Sequence, residues 1–233
     1  MDRRTSLERS GIAVVTASAL SHSLDSHQKP ESSLLKLGGQ SVICHVVWQL
    51  NQADLKKIIL VTGFSGGEVK QLVDRMMEEE PGIFHGLEIT YIDLGDDFTG
   101  GHTASVLAAA ASPDVGDSQV LLVGADHIID ADLLRKMKAP LGEDVASVLV
   151  ETDLGGMVGL PRNTVKVGLR PLDGDGNRIN GIGANLGGAY GGIEAGAVCC
   201  SKAAFNELAM MRKAWQGDDS VTLATCGAAP LAP

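Results

Sequence analysis

Through the first 137 residues, short apolar runs alternate with segments that are apolar at every third or fourth position. Residues 11–16 (GIAVVT) and 57–62 (KIILVT) are rich in branched side chains and apolar without alternation, as strands covered on both faces must be. Residues 87–92 alternate and predict a third strand; residues 120–124 are again continuously apolar. Between them, Val42, Val46 and Leu50 share a helical spacing over 41–51, and Val69, Leu72 and Met76 do so after Gly66-Gly67. An alanine-rich helix is expected over 103–112, and a short one over 131–137, starting near Asp130. The rhythm predicts an α/β fold, a doubly wound, mostly parallel sheet with helices on both faces and right-handed crossovers.

From about residue 144 the rhythm changes. Strand-like pieces at 145–150, 164–169 and 178–182 are separated by Gly, Pro and Asp turns, notably Asp173-Gly-Asp-Gly176, and a small antiparallel extension contributed after residue 160 is expected. A glycine-rich stretch, 187–196, is compatible both with close backbone approach and with a mobile loop. It leads to a strand at 197–200 and a helix over 202–211. Residues 1–10 read as a frayed terminus, 11–220 as a single domain and 221–233 as a linker-like tail.

Size supports this organisation: 233 residues and 24.2 kDa suit one domain with a substantial core. A hydrophobic content of 44% with a mean hydropathy of +0.11 fits a soluble protein. The formal net charge of -10 argues against nucleic acid or an anionic membrane as partner. No run reaches transmembrane length and the N-terminus has no apolar signal core, so no membrane insertion is expected. Four cysteines without a CxxC spacing point to reduced thiols in an intracellular compartment, cytoplasmic by default, with Cys199 and Cys200 as packing residues.

Candidate chemistry starts at Gly124-Ala-Asp-His127, where the buried run ends. An aspartate just past such a strand has a fixed backbone and a carboxylate free in the crevice where open α/β sheets bind ligands. Asp126 is therefore a candidate Mg²⁺ ligand, or alternatively a residue that bonds local backbone before the next helix. His127 is expected to bond backbone at the strand end.

Three stretches carry a resemblance: Leu34-Leu-Lys-Leu-Gly-Gly-Gln-Ser-Val-Ile43, Ile58-Ile-Leu-Val-Thr-Gly63 and Gly124-Ala-Asp-His127, with a weaker one over 182–197. Over residues 12–208 the chain resembles the nucleotidyltransferase branch of the GT-A-type nucleotide-diphospho-sugar fold. It is closest there to enzymes that activate phosphorylated sugars or polyols, including inositol phosphate and choline phosphate cytidylyltransferases. The resemblance implies Mg²⁺-assisted attack of a phosphorylated small molecule on the α-phosphorus of an NTP, with release of pyrophosphate. It implies a nucleotide half at about 11–140 and an acceptor half at about 141–220. It places Thr16, Ala17 and Ser18 at the phosphate loop, and Gly101, Thr103 and Ser105 in the nucleobase segment, where His102 could approach the base. Ala184 and Asn185 fall on the acceptor side, and Asp126 with Glu194 at the metal.

The chain departs from that pattern at the cations. Ala19 and Ser21 replace loop glycines, Ser23 replaces an arginine, and the lysines of the pattern fall on Ser32 and Ala184. No arginine lies between Arg9 and Arg75, and Lys29 is the nearest catalytic substitute. Two functions are therefore expected from different classes. One is a relative with reduced or lost catalysis, kept as a regulatory or structural subunit with or without nucleotide binding, with a protein partner or a second copy of itself. The other is an active, divergent cytidylyltransferase-type enzyme.

Overall fold

The computed structural model describes residues 11–18, 32–96, 98, 101–115, 118–139, 141, 145–155, 157, 160, 164–172, 177–187 and 190–207. The expected frayed terminus, the tail, Ala19, Ser21, Ser23, Lys29 and the 173–176 turn lie outside them. In chain order the elements are β1 (Ile12–Ala17), β2 (Lys36–Leu37), β3 (Gln40–Ser41), α1 (Val42–Gln52), β4 (Lys57–Thr62), α2 (Gly66–Glu79) and β5 (Glu88–Asp93). They continue with α3 (Gly101–Ala110), β6 (Val120–Gly124), α4 (Ala131–Met137), β7 (Ala146–Glu151), β8 (Lys166–Pro171), β9 (Asn177–Gly183) and β10 (Gly192–Cys200).

The continuous apolar runs pair with one another. β1, buried at every position, lies parallel between β4 and β6, and β5 adds parallel to β4. Because side chains alternate across a strand, one run serves two cores. Ala13 and Val15, with Ile58, Leu60, Leu121 and Val123, face α1, α2 and α4. Val14, with Ile59, Val61 and Leu122, faces α3 and Phe205 on the opposite side. The sheet order is β5-β4-β1-β6-β10-β8-β9, with β7 also paired to β10. β10 runs antiparallel to β6, β7 and β8, and β9 antiparallel to β8. The result is the expected α/β architecture, parallel strands flanked by helices and extended antiparallel at one edge.

Two features differ from expectation. β10 begins at Gly192, five residues before the expected strand at 197. A Cβ at Gly192 would lie 2.4 Å from Val150 Cγ1 and 2.6 Å from the Glu151 carbonyl oxygen, so close strand approach explains that glycine. The hairpin β2–β3 was not anticipated; Gly38 and Gly39 turn it with φ of +60° and +89°, a region open to glycine at both positions. Cys199 and Cys200 pack, as expected, into the two opposite cores.

Helix α4 starts where a cap is available. The Asp130 carboxylate accepts a hydrogen bond from the Asp132 backbone N–H at 2.8 Å. Asp130→Ala is expected to cost about 1 kcal/mol, which a thermal melt would register as a drop of about 2–4 °C for a domain of this size.

Candidate functional site

β1, β4 and β6 run parallel, so their carboxyl ends share one edge of the sheet. The crossing there is tight: a Cβ on Gly63 would lie 3.3 Å from Ser18 Cβ, and the Ala125 N–H donates to the Thr16 carbonyl at 3.2 Å. Against this edge rests the start of α3, where Gly101 takes a φ of +66°. Thr16 Oγ1 lies 3.0 Å from His102 Nδ1. The Ser105 hydroxyl donates to the Gly101 carbonyl at 3.2 Å, leaving the Ser18 hydroxyl, its other partner, to donate to Ser105. Ala17 is buried between these contacts. Loss of hydration holds the His102 pKa below the ordinary histidine value.

Asp126 follows β6 by two residues, and its carboxylate does not cap the next helix; Asp130 does. His127 corrects the expectation of a backbone partner. Its N–H does close the turn onto the Gly124 carbonyl at 3.1 Å, but its ring Nδ1 lies 2.7 Å from Asp126 Oδ1. The hydrogen bond from His127 holds the Asp126 carboxyl below its usual range, with Ser32 helping from 3.2 Å at Oδ2. An ionised carboxylate only accepts, so His127 Nδ1 carries the proton. The Asp126 hydrogen bond in turn raises the His127 pKa, with the Glu194 charge adding to the effect. Glu194 is pushed up mainly by burial, and the nearby Asp126 charge raises it further. Its Oε1 accepts from the Gly196 N–H at 2.7 Å, inside a bulge of β10. Beside Ser32, the Ser33 hydroxyl is buried without a hydrogen-bond partner among the described residues.

Asp126 and His127 are each close to half exposed, at 47% and 45% of the side chain, so their mutual stabilisation is small. Its pH window is defined by the two shifts. A lowered Asp126 pKa contributes stability above the unfolded value, lost as pH falls through the folded one. A raised His127 pKa contributes below the unfolded value, lost as pH rises through the folded one. The melting-temperature gap between wild type and Asp126→Asn is therefore expected to peak between about pH 4 and 6.5. A gap that grows steadily toward pH 9 would contradict this pairing.

Of the residues expected at the site, Thr16, Ala17, Ser18, Gly101, Ser105 and Asp126 meet along one edge. Thr103 lies in the first turn of α3. Glu194 acts on the protonation of His127 beside them. Ala184 and Asn185 form the turn after β9; Gly183 pairs with Lys166, and Lys166 with Ile193, so this turn sits two strands from Glu194. Lys29 lies outside the described residues. The contacts of Ser32 and His127 with Asp126 were not foreseen; the sequence signals were the place of Ser32 on the pattern's lysine and the place of His127 next to Asp126.

Asp126 and Glu194 offer hard oxygen donors. Among the described residues no group of three or more His, Cys, Asp or Glu side chains is arranged to hold an ion. Mg²⁺ commonly takes only one or two carboxylates and completes its shell with water and substrate phosphates, so the two acids match its donor preference. No helix among the described residues is long and apolar enough to cross a membrane.

Solved structures with this architecture include the inositol-1-phosphate CTP transferase from T. maritima, at 16% identity and a TM-score of 0.65 over 92% of this chain and 78% of that one. UDP-glucose pyrophosphorylase complexed with UDP-glucose is similar at 12% identity and a TM-score of 0.65, covering 85% and 78%. UTP-bound UGPase from Acinetobacter baumannii follows at 16% identity and a TM-score of 0.56, covering 87% and 82%. At these identities the likeness is one of fold. No curated protein sequence matches significantly. The family model of the MobA-like NTP transferase domain matches residues 20–222, most of the chain, and the protein belongs to that family.

Proposed function

We propose that this chain is a nucleotidyltransferase domain with reduced or lost catalysis, serving as a regulatory or structural subunit that binds nucleotide weakly. The observation that carries this reading is the company of Asp126. Ser32 and His127 are the side chains that bond it, His102 and Glu194 feel its charge, and none of these described neighbours is a lysine or arginine. Ser32 occupies the position that the resemblance gives to a lysine, and its hydroxyl donates to the carboxylate.

In the reaction of such a fold, a phosphomonoester oxygen attacks the α-phosphorus of an NTP and pyrophosphate leaves. Positioning and neutralisation of charge do most of the work. A charge-assisted bond to phosphate contributes about 1.5–3 kcal/mol. Losing two or three would remove about 4–8 kcal/mol, at the upper end roughly a millionfold in rate. Asp126 and Glu194 are the residues that would hold Mg²⁺, which when bound would neutralise the triphosphate. Thr16 and Ser18, tied to α3 by His102 and Ser105, would fix the floor under the nucleotide, and the turn at Ala184 and Asn185 would border the acceptor. The acceptor is a phosphorylated sugar, polyol or amino alcohol; the likeness to the inositol-1-phosphate and UDP-glucose enzymes supports the first two. The partner of a silent subunit would be a protein, either another chain or a second copy.

A second reading, an active cytidylyltransferase-type enzyme, is favoured by the retained, ionised Asp126. In it Lys29 supplies the missing cation. One experiment separates the two: thermal shift with CTP, UTP, GTP and ATP plus Mg²⁺, then pyrophosphate release across a panel of phosphorylated acceptors. The proposal expects small shifts and no release. Micromolar affinity with steady release that Lys29→Ala abolishes would establish the second reading.

A further inference from the structure

We propose that His127 is a positioning residue that fixes the Asp126 carboxylate for a divalent cation, its ring lodged in a slot cleared by Gly124 and Gly196. This rests on the reading that Asp126 holds the metal, and adds a residue which that reading does not require.

The slot is built from two strands far apart in sequence. A Cβ on Gly124 of β6 would lie 2.7 Å from His127 Nδ1 and 3.0 Å from Asp126 Oδ1. A Cβ on Gly196 of β10 would lie 2.2 Å from both Cγ and Cδ2 of the same ring. A side chain at either position would displace the imidazole, and Gly196 also takes a φ of +86°, where a side chain is strained. The two strands pair just beyond this point, Ala197 against Val123, so the walls of the slot are set by the sheet.

Gly196 serves both acids at once. Its N–H binds Glu194 Oε1 at 2.7 Å, while its bare Cα makes room for the imidazole that binds Asp126. With Oδ1 held by His127, Oδ2 by Ser32 and its own backbone N–H adding a third contact, the plane of the Asp126 carboxylate is set and a lone pair remains for a cation. Partners one shell out from a metal commonly act in this way, by orienting a ligand that is otherwise free to rotate.

The test uses the full chain and Mn²⁺ as probe, read by the loss of the free-ion electron paramagnetic resonance signal, with a melting curve for each variant. Wild type is expected to bind and Asp126→Asn to lose binding. His127→Ala is expected to weaken Mn²⁺ by about 10- to 100-fold with a near-normal melt. His127→Asn, whose amide nitrogen falls where Nδ1 was, is expected to recover most of it. Gly196→Ala leaves His127 in the sequence but fills its slot, and is expected to behave as His127→Ala; should it melt early, the His127 variants decide alone. Mn²⁺ bound by wild type, lost in Asp126→Asn and unchanged in His127→Ala would overturn this inference and leave the metal reading standing. An asparagine variant no better than alanine would also overturn it. Failure of wild type to bind Mn²⁺, or equal binding by Asp126→Asn, would remove the metal reading and this inference with it.

Discussion

A chain carrying Ser23→Arg, Ser32→Lys and Ala184→Lys together is expected to bind Mg²⁺-NTP about ten- to a thousandfold more tightly than wild type, if each new cation recovers part of the 1.5–3 kcal/mol of a charge-assisted bond. Ser32 carries the most direct expectation, because its hydroxyl already lies 3.2 Å from Asp126 and a longer, charged side chain would extend past it. Ala184 is half-buried in the turn after β9, two strands from Glu194, so its lysine should show in affinity for the phosphorylated acceptor more than for nucleotide. Affinity should recover before turnover, since binding tolerates a misplaced charge and in-line attack does not. The gain should shrink between low salt and about 1 M, where screening reaches contact range. Calorimetry across that range is the measurement. Ordinary turnover by wild type, unimproved in the triple variant, would assign the phosphate role to another lysine. Lys36 is poorly placed for it, lining a groove with Cys44, Leu72 and Arg75 between α1 and α2, so Lys29 would be the one to test.

Leu60→Ala is expected to cost about 2–5 kcal/mol, a large share of the roughly 5–15 kcal/mol that holds a domain folded. Leu60 is fully buried, pairs with Val15 on one side and Tyr91 on the other, and packs into the core beneath α1, α2 and α4. In a domain of this length each kcal/mol lowers the melting temperature by about 2–4 °C. Leu37→Ala, at a position 56% exposed in the β2–β3 hairpin, should stay within about 0.5 kcal/mol of wild type. A Leu60 variant as stable as the Leu37 one would mean that the central strands are not where stability resides.

Much of the fold was legible because burial on both faces leaves an unbroken apolar run. β1, β4 and β6 could be found that way to within a residue. The start of β10 could not, because Gly192, Glu194 and Gly196 carry no strand signal. Their reasons lie elsewhere in the chain, at Val150 and His127. Asp126 was legible as the polar residue past a buried strand. Its bond to His127 was not: neighbouring side chains in an extended chain point apart, and only the turn from Gly124 to His127 folds the ring back onto the carboxylate. The Thr16–His102 contact spans 86 residues, and no local pattern announces it.

The antiparallel pairing of β6 with β10 has a consequence for biosynthesis. β6 ends at residue 124 and the strand that covers its outer side begins at 192. A ribosome adding about 5–20 residues per second would take several seconds to deliver it. Throughout that interval the nascent α/β half carries Val120, Leu121, Leu122 and Val123 along an unfinished sheet margin, a template for any other extended chain nearby. Translation arrest or proteolysis between these strands would therefore release a fragment that is nearly native in its core yet adhesive at one side. Pairing of residues 197–200 with β6 is what closes that margin.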